Sequence, residues 1–562
     1  MNKTMPWKFL MVAICSLLTL GLGLTACGGS NESTEPPDAN EPVGPGGETG
    51  FLRVALIDEL TSRPVLGATV VANVAGASHT FDQQADGRYE AELTSKAAAT
   101  ISVFHDDYDF VTVAGVQQGS DIVVSLNRLP TSRRGGITGE FTNWPVDADT
   151  LAVGIAGLSL QGNILDFSPT LYLGDQERAT FTLPEWLSNI GAMLPSDLLP
   201  PDIGELLTGS FELDVPGSAM LGDKTTYAVL GLPSRCNDEV AERAGACGTQ
   251  AAFSAYIQAT NLMEAFGMIS PLLSQELIAT LSPIMAGGEL NIPELIPVAL
   301  PLLPKLLSLI SYDYASNLSL TFGDENHALV QHDFSFSPAK KFELKRSVTI
   351  PALPVLMGDE SADLVGVIAL ADLQSQGLLP LGAGVSDGSQ LTFDMTLADV
   401  GNGLDEAGRK LVAIALDSDI AGALTDSSTP IVFSALIGSF ERLSATGTDM
   451  QGSFLTPPSG SAFDGAQRTL SQLPAVEGAT LYRAELKGAD RRWLVYYGNG
   501  SASVTLPSVP TGFSDVLLAD QDHTLIAVRL PSAVTFQSLF EDDAANADQL
   551  GNLMEAFSIS IH

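Results

Sequence analysis

Apolar and polar positions alternate along most of this chain, and that period of two predicts short β-strands. Between Phe51 and Leu129 the alternating sets are Leu52, Val54 and Leu56; Ala68, Val70 and Ala72; Ile101 and Val103; and Ile122, Val124 and Leu126. Gly, Asp and Ser punctuate them, which predicts a half-buried antiparallel sandwich. A second β-rich stretch starts near Gly136, with Ile137, Gly139 and Phe141, and continues through Leu151 to Leu160 and Phe211 to Leu232. Two segments have helical spacing instead. Trp186, Leu187, Ile190, Met193 and Leu194 predict a helix over about 184–200. Leu262, Phe266, Ile269, Leu273, Leu277, Leu281 and Ile284 line one face of a helical region over about 251–310. From Asn317 onward β patterning dominates again.

The order of signals in the first sandwich resembles the carboxypeptidase regulatory-like domain, a transthyretin-like module. The pieces that carry the likeness are Gly67-Ala68-Thr69-Val70, Asp86-Gly87-Arg88-Tyr89, and Ile101 to Phe104 leading to Tyr108. The resemblance implies a glycine at positive φ in the Asp-Gly turn, a tyrosine filling the core, and a non-catalytic spacer or adhesive role. Asp107 stands where that family usually has glycine. Near the C-terminus, Ala479 to Leu486 followed by Arg492 to Tyr497 looks like an Ig or fibronectin-type sandwich. A short repeat accompanies it: Val348-Thr349-Ile350-Pro351-Ala352-Leu353-Pro354 against Val504-Thr505-Leu506-Pro507-Ser508-Val509-Pro510. Proline cannot donate to a ladder, so each copy fits a strand leaving a sheet edge. A second echo pairs Asn261 to Phe266 with Asn552 to Phe557; the second copy reads either as a short terminal helix or as coincidence.

The segment from Ile292 to Ile310 is apolar enough to suggest a membrane span. Pro293, Pro297, Pro301 and Pro304 each break an interior helix at ~3 kcal/mol, and Glu294 and Lys305 are charged. A buried wall with one short helix is the expectation, and the alternative is a lining for an apolar ligand or lipid.

The first residues change the picture of where this chain works. Lys3 and Lys8 precede an apolar run from Phe9 to Leu24, shorter than a comfortable span of ~20 apolar residues. The run ends Leu24-Thr25-Ala26-Cys27, which resembles the lipobox of bacterial lipoproteins. That resemblance implies cleavage before Cys27 and acylation of its thiol and amine, palmitate included, with more than one chain needed for stable anchoring. In Gram-negative lipoproteins an Asp after the lipidated cysteine favours the inner membrane; Gly28 here implies the outer membrane. Residues 27–50 hold no basic and almost no large apolar residue, so they read as a disordered acidic tether.

Composition narrows the rest. The 562-residue chain has 27 basic and 66 acidic residues; losing the signal removes two lysines and leaves a net charge of −41. Such a field repels nucleic acid and anionic headgroups and leaves room for weak Ca²⁺ association. Of four cysteines, Cys15 departs with the signal and Cys27 takes lipid. Cys236 and Cys247 are expected to form a disulfide, since an even pair in an exported protein most often does, contributing about 3 kcal/mol.

Candidate chemistry is sparse. Gly384-Val385-Ser386-Asp387-Gly388 fits the G-x-S-x-G pattern of hydrolase elbows, but an alternating strand follows where a helix is required, so a tight turn is expected and a serine esterase is a distant alternative. His327 and His332 are five apart and face different ways. The runs His105 to Asp109 and Asp520 to His523 lack Ca²⁺-loop spacing. No cofactor motif, metal site or catalytic set stands out.

The expected fold is mainly β, multidomain, with a helical insertion in the middle. The expected units are a signal peptide (1–26), a tether (27–50), a carboxypeptidase regulatory-like sandwich (51–130), a β-rich domain with the helical insertion (131–335), a second β-rich domain (336–460) and an Ig or fibronectin-like sandwich (461–562). The expected function is a lipid-anchored, non-enzymatic cell-envelope protein of structural, adhesive or binding role, with a protein or polysaccharide partner. The alternative is an apolar-ligand carrier built on 251–310.

Overall fold

The structure is a computed structural model. It describes residues 50–129 and 342–561, with gaps, and between them the strands Arg134–Thr142, Val153–Leu158, Leu171–Leu173, Glu177–Ala179, Ile190–Met193, Ser210–Pro216, Gly222–Gly231, Ile310–Leu320, Val330–Gln331 and Phe334–Ser335. The described chain is mainly β.

Eight strands make the first module: β1 (Gly50–Asp58), β2 (Thr69–Val74), β3 (Ala77–Thr80), β4 (Asp82–Gln83), β5 (Tyr89–Leu93), β6 (Ala99–Phe104), β7 (Phe110–Val116) and β8 (Asp121–Leu126). One sheet has the order β4-β5-β1-β8, and the facing strands run β3-β2-β6-β7. Leu52, Val54 and Leu56 all point into the core between them, as the alternation requires, and meet Val70, Ala72, Ile101, Val103, Ile122, Val124 and Leu126 there. Ala75 and Gly76 both take positive φ and close the β2–β3 hairpin in the left-handed turn that matches strand twist. Gly87 has φ +86° in the Asp-Gly turn, and Tyr108 is buried in the core. Asp107, the departure from the family pattern, is not among the residues with positive φ, so its side chain brings no backbone strain.

The β7 edge does not end the sheet. The C-terminal strands are β9 (Phe342–Thr349), β10 (Leu364–Asp372), β11 (Leu378–Ser386), β12 (Thr392–Ala398), β13 (Gly408–Leu416), β14 (Ile431–Ser439), β15 (Gly447–Asp449), β16 (Leu481–Lys487), β17 (Arg492–Gly498), β18 (His523–Arg529) and β19 (Ala556–Ile561). They join β7 in one 15-stranded sheet of order β15-β9-β12-β11-β10-β13-β14-β19-β18-β16-β17-β7-β6-β2-β3. The sheet therefore runs unbroken across residue 461 and into the first module.

Its central strands are apolar on both faces. Along β10, Val365, Val367, Ala369 and Ala371 belong to one core and Leu364, Ile368 and Leu370 to another. Residues one apart point to opposite faces, so the sheet separates two cores. A small sheet of Ala462–Asp464, Thr469–Ser471 and Ser503–Thr505 adds Leu470 and Val504 to the first core. The Val-Thr-x-Pro repeat has a common geometry. Thr349 and Thr505 each end a strand and meet a cross-strand threonine, Thr392 at 3.2 Å and Thr469 at 3.1 Å, before the proline-bearing segment leaves the ladder.

One helical expectation fails and another holds only in part. Within 184–200, Ile190–Met193 is a strand, paired with Val153–Leu158 and Leu171–Leu173. Gly191 weakens a helix there, and sheet pairing overrides the apolar spacing. In the second Asn-Leu-Met-Glu-Ala-Phe echo Leu553 is helical, but Ala556 and Phe557 already open β19, inserted antiparallel between β14 and β18. Its Ala-Phe-Ser-Ile-Ser-Ile sequence alternates with period two, which outweighs the Leu-Met-Glu-Ala start. Of 251–310 only Ile310 lies among the described residues, where it begins a strand. A short helix, α1 (Phe536–Glu541), packs near the C-terminus. No described helix is long and apolar enough to cross a membrane.

Candidate functional site at the module junction

The joint between β7 and β17 is the best-formed site in the described chain. The two strands lie parallel, with Trp493 opposite Phe110, Leu494 opposite Val111, Val495 opposite Thr112 and Tyr496 opposite Val113. A parallel pair between segments so distant in sequence needs side chains to fix its register. Three consecutive residues do so. Arg491 donates to the carbonyl oxygens of His105 (2.8 Å), Tyr108 (3.2 Å) and Asp106 (3.2 Å), and its guanidinium lies 4.8 Å from the Phe110 ring centre. Arg492 donates to the buried Asp109 carboxylate from its backbone N–H (2.7 Å) and from Nε (2.9 Å). Trp493 is fully buried and donates from Nε1 to Thr112 Oγ1 at 2.8 Å, and Thr112 in turn meets Ser102 at 2.8 Å.

Around this tripeptide the rings of Phe104, Phe110 and Trp493 pack edge to face, with centroids 4.9–5.6 Å apart. Phe513 caps the group from the segment after the proline repeat, 5.8 Å from Phe110. Arg468 holds that segment: it donates to Pro507 O (2.9 Å) and to Asp515, and lies 5.4 Å from the Trp493 ring. Edge-to-face pairs and part-buried charge-assisted hydrogen bonds both demand close placement, so the junction is constrained as well as apolar.

Directly behind it sits a polar cluster at the end of β1. Tyr108 donates to Asp58 Oδ2 at 2.8 Å, and Arg128 donates to the same oxygen from Nε (3.0 Å) and Nη2 (2.7 Å). Burial, reinforced by the Asp58 carboxylate, pushes the Tyr108 hydroxyl up to about 12. The unfolded hydroxyl ionises near 10, so the raised folded value contributes stability that is intact below pH 10 and lost as pH rises toward 12. Tyr89, Tyr482 and Tyr497 are raised by burial as well. Alkaline unfolding followed by tyrosine absorbance should therefore show stability lost through several tyrosines, and Tyr108→Phe should remove a share of roughly 2 kcal/mol from that loss.

Two further buried charge groups lie in the sheet. Arg483 and Glu485 pair on one face of β16, with Arg483 5.8 Å from the Tyr496 ring. Arg346 lies 4.4 Å from the Phe440 ring and donates to Thr448; burial, with Arg409 nearby, pulls its pKa down. Such pairs specify register more than they stabilise.

The candidates from sequence are placed as follows. Cys27, Cys236, Cys247, His327 and His332 lie outside the described residues. Ser386 ends β11, and its Oγ donates to the carbonyl of Gln390 at 2.9 Å. Gly388 takes φ +76°, and β12 follows, so the Gly-x-Ser-x-Gly run is a strand–turn–strand as expected. In the His105–Asp109 run, Tyr108 and Asp109 turn to Asp58 and Arg492, and the Nδ1 of His105 accepts the Asp107 N–H. His523 Nε2 lies 2.7 Å from Ser461 Oγ; Asp520 is outside the described residues. Among the described residues no three His, Cys, Asp or Glu gather as a metal site. Arg491-Arg492-Trp493 matches no motif that marks it in the sequence. The available signal was two adjacent cations in a chain with so few.

No family model and no curated relative matches the chain. Among solved structures it is similar to the Bacillus anthracis TIE protein at 9% identity and TM-score 0.15, over 65% of this chain and 45% of that one. A DUF3823 family protein from Bacteroides ovatus matches at 13% identity and TM-score 0.13, over 34% of this chain and 93% of that one. The major pilin subunit of Bacillus cereus, BcpA, matches at 8% identity and TM-score 0.14, over 65% and 87%. The chain spans less than half the length of the TIE protein, and at these TM-scores the likenesses carry no weight for function.

Proposed function

We propose that this chain is a lipid-anchored, non-catalytic protein of the cell envelope that holds a rigid β body away from an outer membrane to bind or adhere. The observation that carries the reading is the junction: the module that directly follows the tether is joined to the rest by a continuous sheet, with buried ring contacts and paired arginines. A flexible hinge there would decouple the body from its anchor; a hydrogen-bonded strand pair couples them. In this reading residues 51–130 are a transthyretin-like spacer, Cys27 carries the acyl chains, and Cys236–Cys247 is a disulfide. The strongly acidic surface suits exposure to solvent and salt, with weak Ca²⁺ association, and the partner is a surface protein or polysaccharide. The helical region 251–310 and the Ig or fibronectin-like class of the last sandwich belong to the same proposal.

The experiment is to express the full chain in a bacterial host, fractionate the envelope and weigh the N-terminal peptide. Cys27→Ala should move the protein out of the detergent-soluble membrane fraction, and the native peptide should begin at Cys27 with acyl mass added. A native peptide that begins elsewhere, or without added mass, would sink the anchor.

A further inference from the structure

The first module is built so that tension arriving from its N-terminal side loads it in its strongest direction. β1 begins at Gly50, where the tether residues end, and it is an interior strand. Gly50–Val54 pairs antiparallel with Tyr89–Leu93 of β5, and Arg53–Asp58 pairs parallel with Asp121–Leu126 of β8. Ladder hydrogen bonds lie across the strands. A pull along β1 therefore strains both ladders together, whereas a pull at right angles would open them one bond at a time.

The far end of β1 adds a stop. Asp58 is buried, 2% exposed, and is held by the Tyr108 hydroxyl and by two nitrogens of Arg128. For β1 to slide toward its N-terminus by two residues, Asp58 must enter the position of Leu56 in the apolar core. It would arrive there as an unpaired charge, at a cost far above that of a broken hydrogen bond. A one-residue slide is no easier, because it turns Leu52, Val54 and Leu56 out of the core.

The stop is also wired to the body. Tyr108 precedes Asp109, which Arg492 holds, and the Tyr108 carbonyl accepts from Arg491. From there the parallel β7–β17 pair passes into the long sheet. We propose that Asp58, Tyr108 and Arg128 form a force-bearing clamp, which keeps the module folded when the protein is pulled between its anchor and a bound partner. This deepens the tethered reading and rests on it only for where the load enters.

The test is single-molecule force spectroscopy on the full chain without its signal, with handles ahead of Gly28 and after His562. Unfolding of residues 50–129 is recognised by a length gain of roughly 240 Å, the ~270 Å of extended chain at ~3.4 Å per residue less the ~30 Å the folded module already spans along its parallel β1 and β8. At fixed load, Tyr108→Phe should raise the rate of that step about tenfold or more, the fold-change expected for losing a hydrogen bond to a buried charge. Ile101→Val, in the same core but away from the clamp, is the control. Rates are compared per unit of stability lost in denaturant without load. Acceleration by Tyr108→Phe well beyond the control supports the clamp. Equal acceleration, or release of β1 in an early short step, overturns it. Asp58→Asn extends the series where it folds, and the hydroxyl variant decides alone where it does not. A missing acyl chain on Cys27 would remove the anchor without touching this result.

Discussion

Trp493→Ala is expected to destabilise the protein by about 3–5 kcal/mol, the range for removing a fully buried large aromatic. The indole has no exposed surface, packs against Phe104 and Phe110 and donates to Thr112. The loss is local in an informative way. Trp493 sits on β17 and its partners on β6 and β7, so the cavity opens between module and body. Limited proteolysis should then cut β7 and the β6–β7 turn in the variant at protease levels that leave the native chain intact. Trp493→Phe fills most of the space and gives up one hydrogen bond, so it should cost about 1 kcal/mol and leave the junction closed. If both variants show the same stability as the native chain in urea, the ring cluster is not holding the joint.

Arg492→Ala is the second large effect. It leaves the Asp109 carboxylate, 3% exposed, with the backbone N–H of residue 492 in place of the guanidinium contacts at 2.7–2.9 Å. Breaking a buried pair on one side costs about 3–5 kcal/mol, because a charge stays behind without its partner. Adding Asp109→Asn to that variant should recover about 2 kcal/mol, since the neutral amide no longer needs a cation. The double-mutant cycle reads the coupling directly. Independent effects of the two substitutions would show that the pair is incidental.

How far the sequence foretold this differs from strand to strand. β1 was legible because one of its faces meets a core and the other does not, so Leu52, Val54 and Leu56 stand out against their neighbours. β10 and β13 were legible as β but not as central strands: Leu-Val-Gly-Val-Ile-Ala-Leu-Ala is apolar throughout because both faces are covered, and an apolar run does not say what covers it. The joint was not legible at all. β7 and β17 stand nearly four hundred residues apart, and nothing periodic in Phe110 to Val116 distinguishes a strand at a free edge from one with a distant parallel neighbour. The local cues were Asp109, in a run that lacks Ca²⁺-loop spacing, and the adjacent cations Arg491 and Arg492. Ile190–Met193 went the other way, helical by spacing and β by pairing, and the terminal echo turned to strand at Ala556 and Phe557. In both, a long-range partner decided what local pattern left open.

Module and body share one sheet, and backbone hydrogen exchange on the native full chain reads that continuity amide by amide. The amides of Val111 to Ala114 and of Leu494 to Tyr497 should exchange together and slowly, at rates comparable with those of the interior strands β10 and β13, because each amide that the ladder engages opens only when the junction does. Fast exchange along β7 and β17, with β6 and β16 still protected, would mean two separate sheets with no shared ladder between them.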